Sequence, residues 1–302
     1  MRTLLVGNTK CHAATRLQEE FLKRDLQLDM VSPTDVVFSV TDNQTSITAN
    51  DGRDILAYDV YFFRGLGDLA REMAVIANYL RQHDKVIVED VFATHTTYFD
   101  KFSPTIVDEG IPVLDYRLIF SSHRNVLNAV EYPIIAKSLE GSKGIKVRLL
   151  HNRGELDNFI QEFDFPVVLQ KYIPIRFDFR VIVIDGIPLG VMKRYNEGED
   201  FLTVRAGGKR EAVVLPQQAL DLAVHATQVA GLSVAGVDLL EHEGMYYRIE
   251  VNMSPQFRTF ERVTQINVAG AICEMIQRKY QQHLISVTDL YTDQHASFVV
   301  EP

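Results

Sequence analysis

The chain has little cysteine, no tryptophan and no long apolar run. Its two cysteines, Cys11 and Cys273, lie far apart in the sequence, which argues against a disulfide scaffold. No segment has eighteen consecutive apolar residues, so we expect no membrane span and no membrane partner. The first residues resemble a strand that enters a turn rather than a signal peptide. We therefore expect a cytoplasmic protein.

An excess of positive charge is also absent. The chain carries 31 lysines and arginines against 40 acidic residues, and its formal net charge is −9. This balance argues against duplex nucleic acid as a partner, because phosphate binding needs clustered cations. With 302 residues the chain is long for one core, which predicts two or three subdomains.

Three parts are predicted from the pattern of apolar residues. Residues 1–99 alternate strands and helices and predict an open, largely parallel α/β domain. Residues 100–175 form the predicted central part, and residues 176–302 form the last part, in which 285–302 show no clear period and suit an arm or an interface strand. In the first part, the turn at Gly65-Leu-Gly67 either holds an anion near a helix start or, as glycine usage favours, is only a turn.

Three oxygen-bearing side chains are expected to converge in the last part. Asp238 ends one apolar strand pattern, and Glu250 and Asn252 share a face of the next strand because they are two residues apart. A turn at Glu243-Gly244 would fold the two strands into a hairpin. Such oxygen donors suit Mg²⁺ together with phosphate oxygens. A solvated face of an open sheet is an equally good interpretation.

Two elements in the central part could contact a nucleotide. A short buried strand ends at Lys137 and leads to a loop bracketed by Gly141 and Gly144, whose backbone amides could approach an anion. This loop is not a Walker A motif; it would join two antiparallel strands and cover phosphate, and a mere tight turn is the alternative. The apolar run at 167–174 could present hinge backbone groups to an adenine edge; alternatively, it is a core strand stopped by proline.

The order of these elements resembles the ATP-grasp superfamily, and most closely the RimK-type carboxylate–amine ligases. The elements that follow one another in the same order as in that family are the lysine strand, the glycine loop, the hinge strand, Asp178-Phe-Arg180, Lys193-Arg194, Asp238 and Glu250-Val-Asn252. Asp100-Lys101 and the Gly-Ile-Pro loop at 110–112 resemble further family elements. The sequence departs from the family at Lys171, where an acidic residue is common, and at Gln256, where glycine is typical.

The resemblance implies an α+β ATP-grasp fold: an N-terminal open α/β pre-ATP-grasp domain followed by a two-lobed ATP-grasp domain. It implies ATP and one or two Mg²⁺, or Mn²⁺, held by Asp238, Glu250 and Asn252. Arg180, Arg194 and Arg205 would hold the substrate carboxylate and the migrating phosphoryl group. The implied nucleotide contacts are Lys101, Lys137, Gly141, Ser142, Lys143, Gly144, Gln170, Lys171, Tyr172, Ile173, Asp178 and Lys193.

The arginine and lysine positions also have structural interpretations. Arg180 could lie on a solvated face or form a salt bridge, and Lys193-Arg194 could be an exposed strand end. Three functions stay open: a ligase that joins a small-molecule or peptide carboxylate to an amine, a ligase that forms intramolecular ester or amide links in peptides, and a nucleotide-binding regulatory protein without turnover. The implied assembly is a homo-oligomer, a dimer or a tetramer.

Overall fold

A computed structural model describes residues 1–65, 69–89, 92, 109–120, 127, 130–138, 146–174, 176–196 and 208–296, with side chains to Ser286. The chain forms two compact units. The first comprises Met1–Thr97, Gly231–Val234 and Ser254–Pro302, and the second comprises Tyr98–Ala230 and Ala235–Met253. This grouping places the C-terminal segment with the N-terminal residues. The three-part division expected from the sequence stays a prediction.

The first unit is built on a parallel sheet with the strand order β2-β1-β5-β6. Its elements are β1 (Arg2–Gly7), α1 (His12–Leu22), β2 (Gln27–Val31), β5 (Val60–Arg64), α2 (Ala70–Gln82) and β6 (Val86–Ile87). All five residues of β5 are buried, as expected for a parallel strand covered on both faces. Leu4, Tyr61 and Phe63 pack with Met73 and Ile76 of α2 in one core. The predicted parallel α/β unit is confirmed.

A two-stranded hairpin extends from this unit. It comprises β3 (Val36–Thr41) and β4 (Gln44–Ala49), joined by Asp42 and Asn43, which both have positive φ. Two consecutive residues with positive φ are typical of the type I′ turn, whose twist matches that of paired strands.

The C-terminal segment packs on the first unit as helices. They are α5 (Arg258–Thr264) and α6 (Val268–Ala296). Arg16 of α1 donates to Glu261, and Arg24 of α1 donates to Glu274, which explains why these helices group with the N-terminal residues. The expectation of an interface strand from residue 285 is wrong as far as Ala296, because α6 continues through that stretch, and the alternative of an arm stays a prediction.

The second unit contains two sheets. The first has the strand order β7-β10-β8-β9, and all its pairs are antiparallel. Its elements are β7 (Tyr116–Ile119), β8 (Ile134–Ser138), β9 (Val147–Leu150), α3 (Arg153–Phe163) and β10 (Val167–Lys171). Leu156 and Phe159 of α3 pack on Ala136 and Leu169. The predicted antiparallel pairing on either side of the glycine loop is confirmed by β8 and β9.

The second sheet has five strands in the order β13-β12-β11-β14-β15. Its strands, and the helix that packs on it, are β11 (Phe177–Ile184), β12 (Ile187–Tyr195), β13 (Arg210–Val213), α4 (Gln217–Val229), β14 (Val234–His242) and β15 (Met245–Asn252). Ile173, just after β10, packs with Leu114 and Leu240. The Arg248 amide donates to the Pro112 carbonyl at 2.8 Å, which further joins the two sheets of this unit.

Candidate active site

The β14–β15 hairpin places the three predicted metal ligands on one face. Asp238 pairs directly with Glu250, and Gly236 pairs with Asn252, so the three side chains share a face of the sheet. The connection is the predicted two-residue turn, with positive φ at Glu243 and Gly244. The predicted hairpin is therefore confirmed.

The hairpin contains one irregularity beside this face. The register shifts between Asp238 and Leu239, which leaves Ile249 as an extra residue on β15. Because a strand reverses its faces at every residue, this bulge is what brings Glu250 opposite Asp238 after a regular pairing from His242 to Leu239. The side-chain nitrogen of Asn252 donates to the Gly236 carbonyl at 3.3 Å, so this bond does not use the side-chain oxygen, which is the atom that could bind a cation.

Two arginines from neighbouring strands pair with two buried aspartates at this face. Arg180 on β11 donates to both oxygens of Asp238, at 2.5 and 2.6 Å. Arg194 on β12 donates to both oxygens of Asp178, at 2.6 Å each, and its Nη2 also lies 2.9 Å from Asp238 Oδ2. All four side chains are at most 15% exposed. We call these four residues the ion cluster; its formal charges sum to zero.

The ion cluster sets the protonation of its members. Burial alone would raise the pKa of Asp238, but the guanidiniums of Arg180 and Arg194 outweigh burial and hold that pKa below its usual value. Burial would likewise lower the pKa of Arg194, whereas Asp238 and Asp178 raise it. Asp238 is therefore an anion at neutral pH, which is the form in which a carboxylate binds a cation.

The cluster decides between the interpretations of two sequence motifs. Arg180 forms a salt bridge, as one interpretation predicted, and it does so at the face that carries Glu250. Arg194 is 12% exposed, so the interpretation of an exposed strand end is wrong for it. Asp178 was predicted to contact nucleotide, whereas its described partner is Arg194. The Asp178-Phe-Arg180 spacing was the available signal, since it places both side chains on one face of a strand.

Lys193 lies on the opposite face of the same sheet. Phe177 pairs with Tyr195 and Phe179 pairs with Lys193, so these four side chains alternate with those of the ion cluster. The Lys193 Nζ lies 3.7 Å from the centre of the Phe177 ring and 5.0 Å from that of Tyr195, which is a cation–π arrangement. The structure does not bring Lys193 together with the ion cluster, and its predicted nucleotide contact stays a prediction.

The lysine strand and the hinge strand meet in the first sheet of this unit. Lys137 pairs with Val168, and its Nζ donates to Gln170 Oε1 at 2.6 Å. Gln170 is buried, so an amide in the sheet holds the ammonium group at a fixed place. Of the other hinge residues, Lys171 is exposed, Tyr172 is half-buried and Ile173 is buried.

Six predicted site residues lie outside the described residues and stay predictions: Lys101, Gly141, Ser142, Lys143, Gly144 and Arg205. Within the described ranges, no three histidine, cysteine, aspartate or glutamate side chains gather to hold a metal ion. The predicted triad is compatible with this observation because it counts two carboxylates and one amide.

No helix in the described part of the chain has both the length and the apolar content needed to cross a bilayer.

Comparison with known proteins places these features in a family. The profile of the RimK-like ATP-grasp domain matches residues 102–276. A probable alpha-L-glutamate ligase of Rhodopirellula baltica is 35% identical over 175 residues, which cover 55% of this chain and 42% of that protein. A probable alpha-L-glutamate ligase of Methanococcoides burtonii is 28% identical over 288 residues, or 91% and 94% of the two chains.

A solved structure shares the fold. The ATP-grasp ligase PsnB, complexed with a phosphomimetic variant of its minimal precursor, Mg and ADP, superposes with a TM-score of 0.70. The two sequences are 19% identical, and the match covers 92% of this chain and 98% of that one. The predicted ATP-grasp fold and the predicted class of enzyme, an ATP-dependent carboxylate–amine ligase, are confirmed. Because the profile spans more than half of its length, the chain belongs to the RimK-like ATP-grasp family.

Proposed function

We propose that the second unit activates a carboxylate substrate with ATP and joins it to the amine of an amino acid or peptide. The observation that carries this proposal is the partly buried face on which Asp238, Glu250 and Asn252 lie beside Arg180 and Arg194. One face thus combines oxygen donors for a cation with guanidiniums for anions. A nucleotide-binding regulatory protein without turnover would need fewer of these groups, so that function is not favoured.

The reaction needs activation because a carboxylate does not react with an amine at neutral pH. In the proposed sequence, a carboxylate oxygen of the substrate attacks the γ-phosphorus of ATP, and the bond from that phosphorus to the bridging oxygen of ADP breaks. The amine nitrogen then attacks the carbonyl carbon of the acyl phosphate, inorganic phosphate leaves, and the nitrogen loses a proton. Such phosphoryl transfer depends chiefly on positioning and on neutralised charge.

The donor set fits a hard divalent cation. Two carboxylates and one amide offer oxygen ligands, which Mg²⁺ and Mn²⁺ prefer. Among the described residues Asp238 accepts three N–H contacts from the arginines, and a carboxylate has about four acceptor positions, which leaves room for a cation. We propose that Asp238, Glu250 and Asn252 hold one or two such ions, which would neutralise phosphate charge when bound.

The arginines would bind the anions of the reaction. Arg180 and Arg194 are fixed by their aspartates, so their positions do not have to be ordered when a ligand binds. A guanidinium has five donors, and a bidentate contact to one aspartate leaves others for a carboxylate or phosphoryl oxygen. Arg205 is proposed as a third arginine of this kind.

The nucleotide would lie against the lysine and hinge strands. We propose that Lys137, held by Gln170, contacts a phosphate together with Lys101, and that the loop Gly141–Gly144 with Ser142 and Lys143 covers the γ-phosphate. The hinge residues Gln170, Lys171, Tyr172 and Ile173 would contact the adenosine, with Asp178 and Lys193 as further candidates.

The relatives suggest the first substrates to test. Two of them are named glutamate ligases, and PsnB has been solved in complex with a precursor peptide, so glutamate and short peptides are the proposed amine or carboxylate substrates. A cytoplasmic location and a homo-oligomeric assembly stay predictions from the sequence.

Phosphate release from ATP tests the proposal. The full chain is incubated with ATP, Mg²⁺ and pools of amino acids, and stimulation above the rate with ATP alone is expected for at least one pool. Glu250→Gln should lower the stimulated rate at least about 100-fold, because an amide ligand holds a cation more weakly than a carboxylate. Glu241→Gln is the matched control: it makes the same change at an exposed position of the same hairpin and should keep the wild-type rate. Full activity of Glu250→Gln would remove Glu250 from the site.

A further inference from the structure

A buried arginine of the first unit lacks partners for two of its donors. Arg64 is the last residue of β5 and is 4% exposed. Its Nη2 donates to the Pro255 carbonyl at 2.7 Å, and its guanidinium lies over the Phe257 ring, 5.5 Å from the ring centre. Nε and Nη1 are buried, and no acceptor for them exists among the residues that the structure describes. A buried donor without an acceptor is costly, so this arrangement points to a missing anion.

Three segments of the first unit meet at this arginine. Gly7 at the end of β1 pairs with Arg64, and the Asn8 amide donates to the Arg64 carbonyl at 3.2 Å. The Gly65 amide donates to Ser254 Oγ at 2.9 Å. A side chain could not replace the hydrogen of Gly7, because a Cβ there would lie 1.7 Å from the Arg64 carbonyl oxygen. The carboxyl ends of two adjacent parallel strands therefore meet here, which is where open α/β sheets bind ligands.

The N-terminus of α1 lies at the same end of the sheet. Its cap residue, Cys11, makes no side-chain capping bond; its thiol donates to the carbonyl of Asn8, the residue whose amide donates to the Arg64 carbonyl. The Nδ1 atom of His12, the first residue of this eleven-residue helix, is also buried without a partner in the described structure. A helix N-terminus carries about half a positive charge, which adds to the guanidinium.

The positive charge is only partly compensated. Burial lowers the pKa of Arg64 to about 10, so the guanidinium is still charged at neutral pH. Glu89 is the acidic residue that acts on it most strongly, but its Oε2 already accepts the amides of Ser233 and Val234 at 2.5 Å each. One guanidinium and one helix end match a carboxylate, with a single negative charge, better than a phosphate with nearly two.

We propose that Arg64 and the N-terminus of α1 form a carboxylate-binding site in the first unit, whereas the ion cluster belongs to the second unit. The site binds the carboxylate of a substrate of the ligase, and this identification of the ligand rests on the proposed function. The turn at Gly65-Leu-Gly67 was interpreted from the sequence as only a turn, with an anion near a helix start as the alternative; Leu66 and Gly67 lie outside the described residues, and the helix of the present proposal is α1.

A carboxylate placed in the site by mutation tests the proposal without knowledge of the ligand. Cys11→Asp puts a carboxylate at the cap of α1, and Cys11→Asn is the matched control, since asparagine caps a helix equally well without charge. In the full-length protein, Cys11→Asp should melt about 2–4 °C above Cys11→Asn. This advantage should disappear when Arg64→Met is added to both variants. Equal melting temperatures of the two single variants, or an advantage that persists without Arg64, would overturn the proposal.

Substrate kinetics supply the second measurement. For the amino acid that stimulates phosphate release by the wild type, Cys11→Asp should raise the KM at least about tenfold relative to Cys11→Asn, with the KM for ATP unchanged. An unchanged KM for the amino acid would overturn the identification of the ligand. If no amino acid stimulates the wild type, the proposed function has failed, and the melting comparison still decides whether the site binds a carboxylate. If Arg64→Met does not fold, the amino acid KM of Cys11→Asp, compared with that of Cys11→Asn, decides whether the site binds the substrate carboxylate.

Discussion

Arg194 holds two buried carboxylates at once, and its replacement by glutamine should lower the free energy of unfolding by about 3–5 kcal/mol. The guanidinium makes two bonds of 2.6 Å to Asp178 and one of 2.9 Å to Asp238. Asp238 would keep Arg180, but Asp178 would lose the two bonds that neutralise it. A buried charge without a partner accounts for the size of the effect.

Urea unfolding followed by circular dichroism measures this loss. The control is Arg153→Gln, because Arg153 pairs with Asp157 across one turn of α3 at an exposed position. An exposed pair of this kind contributes about 0.3–0.5 kcal/mol, so the same chemical change there should barely move the transition. The contrast between the two variants therefore isolates burial from the loss of a positive charge.

A second substitution tests the explanation rather than the size of the loss. Adding Asp178→Asn to Arg194→Gln removes the unpaired anion, so the double variant should recover at least about 1.5 kcal/mol relative to the sum of the single losses. The reasoning is refuted if Arg194→Gln costs less than about 1 kcal/mol, the range of exposed pairs, or if the losses of the two single variants simply add.

Three further predictions concern other charged residues. Burial alone would raise the pKa of Glu20, but its cationic neighbours lower it from 4.5 to about 2. The stability that Glu20 contributes is therefore present above pH 4.5 and lost as the pH falls towards 2. Glu20→Gln should remove about 1–3 kcal/mol of that acid-dependent stability, measured by urea unfolding at pH 7 and at pH 3. Burial raises the pKa of Glu89 to about 7, so the stability that its neutral form allows is present below pH 4.5 and lost as the pH rises through 7. The free energy of unfolding of Glu89→Gln should therefore rise by about 2–3 kcal/mol relative to that of the wild type between pH 5 and 8. A difference between the two proteins that stays constant over this range would contradict the shift. Lys137→Met should raise the KM for ATP about 10- to 100-fold through the loss of a charge-assisted contact, with Lys146→Met as the control, and an unchanged KM would exclude Lys137 from the site.

The hairpin and the parallel sheet were predictable because their signals are local. Glu250 and Asn252 share a face through their spacing alone, and a glycine at the turn fixes where the chain reverses. The alternation of apolar strands with helical spacing likewise predicts parallel strands in the first unit. Each of these inferences needs only a few consecutive residues.

Other features depend on contacts between distant residues and could not be predicted in this way. Arg180 pairs with Asp238, 58 positions away, and the sequence alone predicted a contact to the anions of the reaction, with a solvated face or a salt bridge as structural alternatives. Helix α6 extends to Ala296 although its last part shows no clear period: Arg24 of α1 donates to Glu274 near the start of the helix, whereas residues 281–286 are exposed. Periodicity records which face of a helix is buried, so a helical end that buries little leaves no signal.

Lys193 and Arg194 show most clearly what a motif leaves undecided. Adjacent residues of a strand face opposite ways, so a Lys-Arg pair can place only one of its charges at a site on one face. The register of β11 and β12 decides which one: Arg194 lies opposite Asp178, while Lys193 lies opposite Phe179 and contacts aromatic rings. A shift of that register by one residue would exchange the two and leave both aspartates of the ion cluster without Arg194. The pairing of Arg194 with Asp178 therefore depends on the register of β11 and β12, whereas the pairing of β14 with β15 brings the predicted metal ligands to one face.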